Sequence, residues 1–191
     1  DEQAYARWKE IPVSDSELAV LGVPLPVCGD EYVRRYFQTE IAAPMRCGID
    51  KLLVALKDEP QVALHIVRVA AGIPKLRHVL ATTPPQYIAA ELAAVDALVT
   101  RTIATLGDIQ DVSKFTTMLW RLPESLAGLG CGSALMESAP AYVATAVSTA
   151  GLRREIHADS VDFVQGFAQT SAWLAAALPT QHLDPNPFTG K

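Results

Sequence analysis

The pattern that most limits how this chain can fold is a run of apolar side chains between residues 86 and 106. Ile88, Leu92, Val95, Val99, Ile103 and Leu106 recur three or four residues apart, which puts all of them on one face of a helix. Such a stripe must be covered by other elements. Composition says which kind. Half the residues are apolar but only 7% are aromatic, and alanine and leucine dominate, which favours packed helices over a sandwich of strands. At 191 residues the expectation is one domain: an all-α multi-helix bundle with one short N-terminal strand or extended segment.

Residues 1–30 read as a lead-in. Within it Leu18–Val23 is a brief apolar run between Ser-Asp-Ser and the prolines at 24 and 26, the best strand candidate in the chain. A lone strand needs a partner, so a protein partner pairing with Leu18–Val23 is one expectation. Residues 31–178 read as the helical domain. Asp30 is expected to cap a helix carrying Val33, Phe37, Ile41, Met45, Ile49, Leu52, Leu53 and Leu56, which Pro44 should kink or split and Gly48 should weaken. Asp58 is expected to cap a second helix, with Pro60 in its first turn and Val62, Ile66, Val67 and Val69 as apolar positions, ending at Gly72. Residues 74–82 predict a short helix or turn, stopped by Pro84 and Pro85.

After the 86–106 helix, Gly107 is placed as a left-handed cap. Residues 112–122 predict a further helix with Phe115, Leu119 and Trp120 apolar, and residues 123–133 a glycine-rich loop. Helices over 140–156 and 159–178 complete the domain, the latter with Phe163, Val164, Phe167, Leu174 and Leu178 on one side. Residues 179–191 read as a loose tail.

Net charge is −5 and the isoelectric point is near 5.3, so contact with nucleic acid needs a local basic patch. There is an uneven distribution to supply one. Glu31 to His78 holds eight Lys/Arg against five Asp/Glu, while residues 1–30 hold two against six and residues 79–191 six against ten. The tightest group is Lys75, Arg77 and His78, with Arg68 about two helical turns upstream; Arg34 and Arg35 join it if the first two helices lie side by side. Cations at a helix–turn boundary can pair with phosphates along a duplex; cations at helix C-termini are also favoured by the helix dipole alone.

Other chemistry finds little support. Gly128–Gly132 lacks the Gly-Lys-Ser/Thr that completes a phosphate loop. Cys131 has no recognisable histidine base in sequence, and Ser133 does not stand in G-x-S-x-G. No metal-ligand spacing links the four histidines to carboxylates, and no cofactor is expected. Asp96 interrupts an apolar helix and reads as an exposed position or a hydrogen bond to a neighbouring helix. Cys28, Cys47 and Cys131 are odd in number and far apart, which argues for a reducing compartment, nuclear or cytoplasmic. No apolar run reaches membrane-spanning length and no signal peptide is recognised, so no membrane partner is expected.

Three stretches, in order, resemble the end of the palm, the thumb and the post-thumb region of reverse transcriptases of non-LTR retroelements. Leu18–Leu25 is similar to the "K-x-LG-x" strand of the primer grip. Asp58–Leu64 and Ile73–Pro85 resemble the thumb pattern "LLR-x-x-x-x-P-x-L-x-Y-x-LRT-x-PP", with Arg68, Pro74, Leu76, Leu80, Thr82, Pro84 and Pro85 matching, His78 in place of the tyrosine and Ala81 in place of an arginine. Leu122-Pro123, Gly128–Gly130 and Ser133-Ala134 are similar to "LP-x-x-x-GGLGL-x-SA", with Ala127 at the first glycine. The resemblance spans residues 17–145 and implies a module that grips a template–primer duplex by its backbone. The metal-binding aspartates of the polymerase palm lie outside it, and no Y-x-D-D occurs. The expectation is therefore a non-catalytic, thumb-like module that binds an RNA/DNA duplex through Arg34, Arg35, Arg68, Lys75, Arg77 and His78. The alternative is a helical scaffold or adaptor, repurposed to bind protein partners in a larger assembly.

Overall fold

The computed structural model describes residues 19, 20, 22–24, 29–149 and 172. The expectations for residues 1–16, 159–178 and 179–191, and for the end of the 140–156 helix, lie outside them. The described fold is all-α, with a small hairpin at its start. In the hairpin β1 (Ala19–Val20) pairs antiparallel with β2 (Val23–Pro24), Val20 opposite Val23. Gly22 turns between them at φ 76°, a left-handed conformation that glycine adopts without strain. The lone strand expected from sequence is thus a hairpin that supplies its own partner.

The helices follow as α1 (Asp30–Tyr36), α2 (Ala43–Ala55), α3 (Pro60–Ile66), α4 (Arg77–Thr82), α5 (Pro85–Leu106), α6 (Lys114–Arg121) and α7 (Ala134–Ser148). Helix α5 is the central one: α1, α2, α3 and α7 all touch it, and α4 packs against α7. The stripe read from the sequence is its buried face, with Ile88, Leu92, Val95, Val99 and Ile103 in the core beside Phe37, Met45, Ile49, Leu76 and Leu80. Each such side chain contributes about 1.5–3 kcal/mol by leaving water.

Proline and glycine act differently from expectation. Pro44 does not break its helix. The chain passes from α1 to α2 through a wide π-turn, Phe37–Ala42, where the Ala43 N–H reaches the Gln38 carbonyl five residues back, and Pro44 falls within the first turn of α2, where its missing N–H matters least. A second π-turn, Val67–Ala71, follows α3. It moves the buried positions from Ala63 and Val67 on to Gly72 and Ile73, leaving Val62 and Val69 exposed. The cap of α3 is Glu59 rather than Asp58, and no side chain bonds there. Pro85 both follows the stop after α4 and opens α5, because Thr83 is extended (φ −105°, ψ 126°), as a residue before proline prefers. Gly107 sits at φ −90° and is not a left-handed cap; Asp108 takes positive φ instead, at 50°. Helix α7 starts at Ala134, capped by Ser133, with Pro140 inside it, rather than at Pro140. On α6 only Trp120 is buried, while Phe115 and Leu119 face outward.

The turn at Gly72 has no room for a side chain: a Cβ there would lie 2.5 Å from the Val67 carbonyl oxygen. That oxygen already accepts the Gly72 N–H at 2.8 Å. Gly72→Ala is expected to cost about 1–3 kcal/mol in urea denaturation, because the backbone must shift to admit the methyl group.

Candidate nucleic-acid interface

The stretch from Gly72 to Thr82 presents its charges because its apolar residues are so fully committed. It runs as a tight 3₁₀ turn, Ile73–Leu76, into α4. Ile73, Leu76, Val79 and Leu80 point into the core, which leaves Lys75, Arg77 and His78 exposed between them. Neither Lys75 nor Arg77 has an ion pair among the described residues.

Arg68 reaches the same place from the π-turn after α3. With Val69, Pro74, Arg77, Glu124 and Gly130 it lines an open cavity of about 400 Å³. The guanidinium forms an ion pair with Glu124 and donates to His65 Nδ1 at 3.3 Å, an arrangement that leaves the imidazole lone pair on Nδ1. Arg34 and Arg35 are placed elsewhere. They lie on α1, where Arg34 Nε donates to the Tyr87 carbonyl at 3.1 Å and the Arg35 guanidinium stands 5.9 Å from the centre of the Tyr32 ring. The six residues predicted from sequence therefore divide. Arg68 and Arg77 share a cavity, Lys75 and His78 flank Arg77 in the chain, and the α1 pair does not line it.

The cavity is also lined by Glu124 and Gly130 of the glycine-rich loop after α6. Its backbone is tied to itself: Gly128 N–H bonds to Pro123 O at 3.1 Å, Gly130 N–H to Leu122 O at 2.8 Å and Cys131 N–H to Trp120 O at 3.1 Å. A Cβ on Gly128 would strike the Leu122 carbonyl, so the loop closes only with glycine there. This closure sets Glu124 against Arg68. Cys131, beneath it, is buried. Burial pushes its thiol above the ordinary range, against the opposing pull of Arg68, which disfavours the thiolate a nucleophile requires.

Asp96, expected to be exposed or hydrogen-bonded to a neighbouring helix, takes the second course. It is only 8% exposed and holds the start of α7. Its Oδ1 accepts the Ala134 N–H at 2.7 Å, and its Oδ2 accepts the Ser133 hydroxyl and, at 3.4 Å, Arg121 Nη2. Ser133 Oγ in turn accepts the Met136 N–H at 3.3 Å, and the Ser133 N–H is satisfied by Glu137. A groove of about 770 Å³ runs beside this cluster along the second half of α5. Its floor is formed by Ala93, Ala97 and Ala104, and Asp96 and Arg121 on its wall are engaged with each other and with α7, which gives them a structural task.

Among the described residues no group of three His, Cys, Asp or Glu side chains could hold a metal ion, and no helix is long and apolar enough to cross a membrane. Comparison with family models, curated proteins and solved structures gives no match.

Asp96→Ala would leave the Ala134 N–H and the Ser133 hydroxyl without an acceptor in a buried setting. The expected loss is about 1–3 kcal/mol in chemical denaturation, and less for Asp96→Asn, which keeps one acceptor oxygen.

Proposed function

We propose that this chain is a non-catalytic helical module that holds a nucleic-acid duplex by its phosphates without reading its sequence. The observation that carries this reading is the basic edge of the 72–82 segment: Lys75, Arg77 and His78 stand exposed on a turn whose apolar residues are locked into the core, and Arg77 shares a cavity with Arg68. The ordered resemblance to the reverse transcriptase thumb covers the same segment and includes Arg68. Rigid attachment matters because the backbone that carries these side chains has no further ordering to undergo when a phosphate arrives. The net charge of −5 sets a limit on strength, since the whole-molecule field repels a polyanion and only the local patch attracts it.

A second reading, a helical adaptor for protein partners, rests on a different feature. Phe115, Met118, Leu119, Leu122 and Leu126 are all exposed, the first two at 68% and 57% and Leu126 at 62%. Phe115, Met118 and Leu119 share one face of α6, and Leu122 and Leu126 follow in the stretch after it, an apolar ridge of the kind that marks interaction surfaces.

Binding of the full chain to a short RNA–DNA duplex, followed by fluorescence anisotropy, is expected to weaken steeply as salt rises. Lys75→Ala/Arg77→Ala should reduce the slope of log affinity against log salt by about two; affinity indifferent to salt would overturn the reading. For the ridge, Phe115→Ser/Met118→Ser is expected to keep the melting temperature while lowering the fluorescence of an apolar dye. A wild-type chain that binds no dye has no ridge to offer a partner.

A further inference from the structure

The basic cavity carries its own competitor. Arg68 and Arg77 both line it, but the Arg68 guanidinium is already occupied by the Glu124 carboxylate. The two side chains of that pair are differently placed. Arg68 is 27% exposed and also tied to His65, whereas Glu124 is 64% exposed. The acid can therefore swing into water while the arginine stays. The backbone that carries Glu124 is closed by the 123–130 hydrogen bonds, so its withdrawal needs side-chain rotation alone.

We infer that Glu124 is an acidic guard over a phosphate subsite formed by Arg68 and Arg77, and that a backbone phosphate binds there by displacing the Glu124 carboxylate from Arg68. This rests on the duplex-binding reading and adds to it a selectivity. A carboxylate and a phosphate compete for one guanidinium fork. A small monovalent anion gains too little at the cavity to eject Glu124. A phosphate within a polymer arrives with its neighbours already held by Lys75 and His78, which raises its effective concentration at the cavity.

The test is the anisotropy titration of the full chain with the same RNA–DNA duplex at low salt. It compares wild type, Glu124→Gln, Arg68→Ala/Glu124→Gln and Asp58→Asn. The last makes the same change of net charge at an exposed turn that does not line the cavity. Glu124→Gln should bind about threefold tighter, the size expected for releasing one partly exposed ion pair, with Asp58→Asn unchanged and the gain absent when Arg68 is also removed. Circular dichroism melts confirm that each variant is folded. Equal gains for Glu124→Gln and Asp58→Asn would assign the effect to net charge and overturn the guard. Duplex binding by wild type that Glu124→Gln leaves unaltered would overturn the guard while the duplex-binding reading stands. Absence of binding by every folded variant at low salt would overturn both.

Discussion

Everything in this fold depends on one helix having to be covered on most of its circumference. Helix α5 buries Ile88, Leu92, Val95, Val99 and Ile103, and no single neighbour can cover so broad a stripe over 22 residues. Helices α1 and α2 take one part of it, α3 another and α7 a third. The connections between these neighbours are then forced to turn where α5 dictates. That is why the chain widens into π-turns at Phe37–Ala42 and Val67–Ala71. At Phe37–Ala42 the extra residue rotates the following side chains back onto the core without ending the helix, whereas at Val67–Ala71 the helix closes at Gly72. Asp96 fits the same constraint. Placed on the central helix, it is a fixed acceptor to which the N-terminus of α7 and Arg121 both attach, so one carboxylate ties three helices together.

The all-α class, the α5 stripe and the helix after Asp30 were legible in the sequence, because periodic burial leaves its mark on residue spacing directly. Helix ends were less so. Pro44, Pro85 and Pro140 look alike in sequence, yet one follows a π-turn, one opens a helix and one sits inside α7. What separates them is whether the carbonyl left without a partner has another way to be satisfied, and that is a tertiary matter. Phe115 and Leu119 follow a related logic. Their spacing marks an amphipathic helix, but spacing does not say whether the apolar face meets the chain's own core. Here Trp120 is the buried apolar residue of α6, and Phe115, Met118 and Leu119 stay in solvent.

The candidate site was legible in kind but not in grouping. Lys75, Arg77 and His78 could be found because charge stood next to a strongly apolar stretch. Arg34 and Arg35 could not be placed, because whether they joined the patch depended on how α1 leans on α5, and the Arg34 bond to Tyr87 turns it aside. Glu124 left no signal at all. It lies 56 residues beyond Arg68 in the chain, and only the closure of the loop around Gly128 brings the two together.

This division also limits what the resemblance to reverse transcriptases can carry. Of the thumb positions that match, Leu76, Leu80, Pro84 and Pro85 are buried and Arg68 is the one charge. The match is therefore mostly a record of packing, and packing residues are kept for the fold they make. The cations that would touch a duplex, Lys75 and Arg77, lie outside the matched positions, and Ala81 stands where an arginine is common. Half-buried on α4, Ala81 suits a helix pressed against α7 better than a long charged side chain would. Shape and charge thus follow separate constraints in this chain. The shape needs α5 covered, whereas the duplex-binding reading needs only that the edge of the 72–82 segment stay basic and that Glu124, placed against Arg68, be able to leave.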